Sequence, residues 1–517
     1  MNNSRWLSFG LAAFTLMVAA QSCAWGTPAA GTPTPSAPPE DIGSSVREAV
    51  AATGLKKAVI AVSIRDASTG KSIVSVRGGE ALAPASNMKV LTTAAALTVL
   101  GPDFAFSTRM LLDGDRLTIV GDGDPALGDP ELLAESTFTD ASGKVHAGMD
   151  IERLLDTWVA SLRAAGVQRL REIVVDDRIF VREGAHPSWP KDQLDESYCA
   201  PPFGLNFHAN SIAVTAAPRA GAAPEITTIT PKAPWITITN KGTSRTGKND
   251  KNTVWFARTP ETGDLTLYGN VKTRLESPIL VPVGDPSLFL AQCLAHRLRA
   301  AGVTVTAARI AAAADATPSG KPVGPVLRTP ITTVLQHCNG ESDNLYAECL
   351  LKRIAFAKTG AAGSWLLGAR VMQGELRARI GRASDAFVVS DGSGLSRDNR
   401  VTADGMTSWL ASVAQDERIG KCFIETLPIA GRSGTVRKRM KEINPAVALV
   451  HCKSGYIDKV CCLSGYVTAS DGTRYAFCVL ANGLSEAGAV GKAKQLQDRV
   501  CALLAEQLAA RRSVLGG

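Results

Sequence analysis

The chain has 517 residues, 45% of them hydrophobic, with 56 Lys and Arg against 48 Asp and Glu for a net charge of +8. That is the balance of a folded globular protein long enough for more than one domain. The charge excess is small for this length, and no dense basic stripe interleaved with aromatics occurs, so nucleic acid is not an expected partner.

In chain order, MNNSRWLSFGLAAFTLMVAAQSCAWG places Arg5 before an apolar run from Leu11 to Ala20 and then small residues. This is the layout of a secretory signal peptide, with cleavage near Ser22-Cys23-Ala24. Ala20-Gln21-Ser22-Cys23 is a poor lipoprotein box, so soluble export, periplasmic or at the cell envelope, is the expectation. No later segment is long and apolar enough to span a bilayer. Residues 25–39 form a Pro/Ala/Thr-rich linker. A helix follows at Asp41–Ala52, then a hairpin between Lys57 and Arg77 that turns at Asp66–Gly70. Pro84–Gly101 reads as a helix of small and apolar residues, with Ser86 and Lys89 at its start.

From Ser107 to Cys199 strands and helices alternate. IERLLDTWVASLRAAG is a strongly periodic helix and REIVVDDRIF a buried strand. Ser211–Lys272 changes texture to short alternating runs rich in Thr, Pro and Gly, a small all-β insert with an exposed basic loop at Lys241–Lys251. A helix at Ser287–Ala301 and the strand VTVTAARI restore the αβ texture, and Gly320–Gly324 marks a boundary. The last part contains helix over Ile331–Lys358, broken near Asn339-Gly340, three strands between Ala446 and Asn482, and a long helix from Ala487 to Arg511.

Three short motifs carry chemistry. Ser86-Asn87-Met88-Lys89 puts a hydroxyl and an amine three residues apart, on one face of a helix. A serine needs a base to become a nucleophile, and a lysine buried among apolar residues has its pKa lowered enough to act as one. A helix start adds N–H groups for developing negative charge. Alone, the pattern also fits an N-cap serine followed by a surface lysine. Ser342-Asp343-Asn344 lies at the helix break and Lys453-Ser454-Gly455 on a strand, and S-x-x-K, S-D-N and K-T-G together form one catalytic set.

With these motifs the chain resembles the penicillin-binding D-alanyl-D-alanine carboxypeptidase/endopeptidases of the low-molecular-mass class C type. Ser342 follows Ser86 by 256 residues (342 − 86), and a large insertion at this point distinguishes that family. GDGDPAL (121–127), YCAPPFGLNFHAN (198–210), SDGSGLSRDN (390–399) and LPIAGRSGTVRKR (427–439) resemble further family segments. The resemblance implies an α+β fold, a penicillin-binding/β-lactamase-like transpeptidase domain with an antiparallel sheet flanked by helices. That domain would be interrupted by an inserted αβ domain that itself carries a small all-β domain. The expected division is 40–106 and 325–517 for the catalytic domain, 107–210 and 273–324 for the inserted domain, and 211–272 for the all-β domain.

The resemblance also implies roles. Ser86 is the acylated nucleophile and Lys89 its base. Ser342 relays a proton to the leaving amine, and Asn344 holds the substrate amide. Lys453 keeps the site electropositive, Ser454 donates to the substrate carboxylate, and Gly455 completes the strand motif. The backbone N–H groups of Ser86 and Tyr456 form the oxyanion hole. Arg397 and Asp192 match residues that contact the charged ends of the stem peptide, with a structural ion pair and a solvated turn residue as their plain alternatives. Peptidoglycan stem peptides are the implied substrates and β-lactams the covalent inhibitors, and no cofactor or metal is expected. The chain departs from the family pattern in KSG for KTG and in Arg432-Ser433 before Gly434. A β-lactamase or esterase on the same site, or a non-catalytic cell-wall scaffold, is the alternative reading.

Other candidates read as structural. Ten cysteines follow Cys23, several inside apolar patterns, which suits buried free thiols. Cys452 beside His451, the pair Asp176-Asp177, and the histidines His208 and His337 belong to the same group.

Overall fold

The structure, a computed structural model, describes residues 41–139, 145–260 and 262–515. The expected signal peptide and linker lie outside these residues. The chain forms two compact units.

The first unit contains residues 41–104, Ile179–Pro202 and Pro330–Gly517. Its sheet has five antiparallel strands in the order Ala448–Ile457, Val460–Ala469, Arg474–Asn482, Val59–Asp66, Ser72–Val76. The hairpins expected from both ends of the chain therefore share one sheet, with Val59 opposite Asn482 and Asp66 opposite Tyr475. The central strands are buried along almost their whole length. This is why VCCLSGYVTA and YAFCVLAN read as continuous β-branched and aromatic runs rather than alternating ones. On one face Val46, Leu496, Val500 and Leu504 from the helices Ile42–Ala52 and Ala489–Leu515 join Ile60, Val62 and Val479 in a single core. On the other, the helix Ala403–Ala414 is tied down by Ser63 and Thr407, whose hydroxyls are 2.9 Å apart, and by Tyr466, whose hydroxyl donates to Leu410 O at 2.8 Å.

The helix Met88–Leu100 is buried on all sides over its first ten residues. A helix that is apolar all round belongs in an interior, and Leu91 and Leu97, fully buried, each contribute about 1.5–3 kcal/mol. The two threonines among those ten need partners there: Thr92 Oγ1 donates to Gly392 O at 2.7 Å and Thr93 Oγ1 to Lys89 O at 2.5 Å. The expected break near Asn339-Gly340 separates the helices Ile331–Gly340 and Asn344–Thr359. Asp343 caps the second, accepting from Tyr346 N at 3.2 Å.

Within the stretch read as 107–210, residues Ile179–Pro202 pack in this first unit. Buried Phe180 and Trp189 hold them there: Val181 N donates to Gly363 O at 2.8 Å, and the Trp189 indole donates to Asp391 Oδ2 at 2.9 Å.

In the second unit, Ala105–Arg178 with Phe203–Thr329, a five-stranded sheet runs Thr304–Ile310, Arg169–Asp176, Arg116–Val120, Ala105–Asp113, Lys321–Pro330. Trp158 and Leu162 of the helix Ile151–Ala164 and Leu294 and Leu298 of the helix Pro286–Ala300 share its core with Ile119, Ile173 and Val175. Two three-stranded sheets follow, one of Ile279–Pro282, Ser211–Arg219 and Ala222–Thr230, the other of Ile238–Asn240, Leu265–Tyr268 and Trp255–Arg258. Asp124 of GDGDP has a structural role here. Asp124 is buried and accepts from Thr329 Oγ1 at 2.6 Å and Ala126 N at 2.9 Å. Asp176 pairs with Arg178 at 2.8 Å, and Asp177 accepts from Ser287 Oγ at 2.8 Å.

Candidate active site

Ser86 sits in a short 3-10 turn, Ala85–Asn87, that leads into the buried helix. Ala85 has φ +46°, a left-handed backbone that costs an alanine about 1–2 kcal/mol. Close packing holds it there. Gly394, at φ +85°, leaves no room for a side chain, since a Cβ would fall 1.8 Å from Ala85 O. Gly455 also packs closely on the turn, where a Cβ would meet Asn87 Nδ2 at 2.7 Å and Pro84 O at 3.0 Å. The Ser464 hydroxyl donates to Asn87 Oδ1, anchoring the turn to the sheet.

Lys89 Nζ lies 3.1 Å from Ser86 Oγ, 2.6 Å from Asn344 Oδ1 and 2.9 Å from Ser393 O. The amine is fully buried, and burial lowers its pKa despite the carboxylates of Glu348, Asp391 and Asp343. A neutral amine has two N–H donors and one lone pair. The two acceptors that cannot donate, Asn344 Oδ1 and Ser393 O, take the donors. With the amine neutral, its lone pair would face the one neighbour that can give a proton, the Ser86 hydroxyl. The Asn344 amide is oriented by its other end, which donates to Tyr198 O at 2.9 Å.

Lys453 is also fully buried. Its Nζ lies 2.7 Å from Ser342 Oγ and donates to Ser454 O at 2.9 Å. Burial, and then the neighbouring Lys89, push its pKa down to about 7. Ser342 is held at φ +64°. Ser454 Oγ and Thr435 Oγ1 are 2.8 Å apart, so the 427–439 segment reaches the strand motif through Thr435, while Arg432 is exposed.

The fold thus gathers Ser86, Lys89, Asn344, Ser342, Lys453, Ser454 and Gly455. Tyr456, on the same strand, has 58% of its surface exposed. Arg397 is exposed and interacts with Asp458, donating to its carbonyl at 3.1 Å and lying 3.5 Å from its carboxylate. Asp192 is exposed on the turn Lys191–Gln193 and, among the described residues, is not bonded to the cluster.

Sequence reasoning missed the supports. Ser393 O is an acceptor for Lys89, and its loop is built on two buried carboxylates. Glu348 accepts from Gly392 N, Ser393 N and the Trp365 indole at 2.8–2.9 Å. Asp391 accepts from Gly394 N, Ser396 N, Asn399 Nδ2 and the Trp189 indole. The glycines of DGSGLSR are the visible signal of this close packing. Cys452 is buried, and burial pushes its thiol up to about 12, which suits a structural thiol. All ten described cysteines are free.

The sequence pattern of the D-Ala-D-Ala carboxypeptidase 3 (S13) family matches residues 43–504. The chain belongs to this family. As an S13 peptidase it is a serine-type D-Ala-D-Ala carboxypeptidase, a hydrolase. It is 28% identical over 453 residues to the D-alanyl-D-alanine carboxypeptidase of Actinomadura sp. (strain R39), covering 82% of this chain and 77% of that one. It is 23% identical over 425 residues to D-alanyl-D-alanine carboxypeptidase DacB of Haemophilus influenzae, covering 80% and 82%. The crystal structure of penicillin binding protein 4 (dacB) from Haemophilus influenzae superposes with a TM-score of 0.69 at 21% identity, over 88% of this chain and 99% of that one. The S13 chain thus has the penicillin-binding fold that its motifs implied. Among the described residues no helix is long and apolar enough to cross a membrane.

Proposed function

We propose that this S13 chain is exported and hydrolyses D-Ala-D-Ala ends and D-centred cross-links of peptidoglycan stem peptides through an acyl-enzyme on Ser86, and that β-lactams acylate the same hydroxyl. The observation that carries this is the buried Lys89 amine, 3.1 Å from Ser86 Oγ and held by Asn344 Oδ1 and Ser393 O.

Ser86 Oγ attacks the carbonyl carbon of the penultimate D-Ala and its proton passes to Lys89. The backbone N–H groups of Ser86 and Tyr456 receive the oxyanion. As the peptide C–N bond breaks, the leaving nitrogen takes a proton from Ser342, which is resupplied by Lys453; a pKa near 7 suits that transfer at neutral pH. Water then attacks the ester and gives a proton back through Ser342 to Lys453. Ser86 leaves, recovering its own proton from Lys89. Both lysines end as they began. Ser454 with Thr435 presents hydroxyls for the terminal carboxylate, and Arg397 offers an exposed guanidinium for the charged end of the stem. Asp192 is proposed as the contact for its amine.

Intact-protein mass spectrometry with benzylpenicillin tests the reading. The expected result is one adduct, mapped to Ser86, and no adduct and no D-Ala release in Ser86→Ala. Peptide release retained by that variant, or an adduct elsewhere, would overturn the mechanism. Rapid adduct loss with hydrolysed drug would favour a β-lactamase.

A further inference from the structure

The loop of residues 241–254, between the strands Ile238–Asn240 and Trp255–Arg258, carries four cations and one acid. Polar loops of this composition are ordinarily slack, but this one is fastened from beneath. Asn270 is buried, and its amide donates to Arg245 O at 2.9 Å and Lys251 O at 3.0 Å. Its oxygen accepts from Arg245 N at 2.7 Å and Thr243 Oγ1 at 2.9 Å. Asn252 Oδ1 accepts from Lys272 N at 2.7 Å and Thr273 N at 3.1 Å. Gly269, at φ +83°, lets the loop close down, because a Cβ there would lie 2.1 Å from Thr253 O.

These bonds hold the backbone and leave the charged ends outside. Lys241, Arg245, Lys248 and Lys251 are exposed. Lys272 joins them, its ammonium donating to Lys248 O at 3.2 Å. The loop's one carboxylate, Asp250, is 4.0 Å from Arg245 and also accepts from Gly247 N. Next to the cations Trp255 stacks on Tyr268, with ring centroids 4.7 Å apart and an 18° angle, and Lys241 Nζ sits 5.6 Å from the Tyr268 ring. The outer face of Trp255 stays open, with 52% of the residue exposed.

We infer that this loop, with Trp255 and Lys272, is a docking surface for the glycan strand of peptidoglycan, separate in sequence from the Ser86 motifs. The choice of polymer rests on the proposed function; the surface itself rests on its own geometry. A pyranose ring has a flat C–H face that fits the electron-rich face of an indole. Stem peptides hanging from the strand end in carboxylates that the fixed cations meet at several points. Each exposed pair is weak, and repetition along one polymer supplies the affinity.

Co-sedimentation with purified sacculi tests this, using the full chain at 0.05 and 0.5 M salt. Lys248→Glu with Lys251→Glu, and separately Trp255→Ala, should each leave D-Ala release from a soluble pentapeptide unchanged. The double variant should bind sacculi about tenfold more weakly, and high salt should weaken the wild type comparably. Lys248→Gln with Lys251→Gln should fall between, with an unchanged thermal midpoint. Equal sedimentation of wild type and charge-reversed chain overturns the inference. So does a charge-dependent preference for single-stranded DNA or poly(glycerol phosphate) over sacculi. If the wild type releases no D-Ala yet still sediments in a loop-dependent way, the docking surface stands and the proposed activity falls.

Discussion

Replacing Asn344 by Asp exchanges one amide nitrogen for an oxygen and exposes the logic of the site. In the wild type a neutral amide oxygen lies 2.6 Å from Lys89 Nζ. A carboxylate there would favour the ammonium by about 6 kcal/mol at an effective dielectric of about 20. Desolvation of the new charge takes back a large part, but half the figure still raises the Lys89 pKa by about two pH units. Less of Lys89, the proposed base, would then be deprotonated at a given pH, and acylation by a fluorescent penicillin at pH 7 should slow by up to about a hundredfold. The sign sets the diagnostic. The lost rate should return as pH rises, because the chemistry needs the deprotonated amine. Asn344→Ala removes the same amide without adding charge, so it should lose rate evenly across pH. If Asn344→Asp is slow by the same factor at every pH, or not slow at all, Lys89 does not act as a neutral base and the assignment fails.

Two further perturbations follow. Lys453 titrates near 7 in the folded chain against 10.5 for a free lysine. Between these values only the unfolded chain keeps the proton, so this group's contribution to stability rises with pH there, by on the order of 5 kcal/mol in full. Below pH 7 the cost of burying the charged amine is undiminished. Lys453→Met should therefore raise the thermal midpoint relative to wild type most at pH 6 and least near pH 10; a difference that does not vary with pH would refute this. Gly394→Ala places a methyl against Ala85 O in a left-handed backbone. It should cost about 2–4 kcal/mol in urea unfolding and slow penicillin acylation about tenfold as Ser393 O leaves Lys89. Wild-type values for both would mean that the loop does not support the nucleophile.

What was legible in the sequence was local. Strands such as YAFCVLAN and the helix IERLLDTWVASLRA declare themselves through periodicity and burial pattern, and the hairpins through their Asp-Gly and Gly turns. The three motifs were legible because each holds its reactive side chains within a short stretch and because together they resemble a known catalytic set. What stayed hidden depends on contacts between distant segments. No pattern around Ser393 announces that its carbonyl accepts from Lys89, 304 positions away. Glu348 looks like an ordinary helix residue, yet it is buried and holds two backbone N–H groups of another loop. Ser86 reads as a helix start, but tertiary packing from Gly394 and Gly455 draws it into a 3-10 turn with a left-handed neighbour. Ile179–Pro202 has the texture of the segments on either side, and its buried aromatic anchors with bonds such as that of Glu183 to Lys352 tie it to the first unit.

The pairing of Val59–Asp66 with Arg474–Asn482 also governs when the enzyme comes into being. At roughly 5–20 residues per second, a ribosome needs roughly 20–80 s to make the chain between these two strands. During that time the early hairpin lacks the neighbour that would stabilise it. A nascent chain that has reached Tyr456 already contains all three motifs, yet it has neither of the last two strands nor the helix behind them. Translation to the end is therefore a timer on the site: the sheet beneath Ser86 cannot close while the polypeptide is still being made.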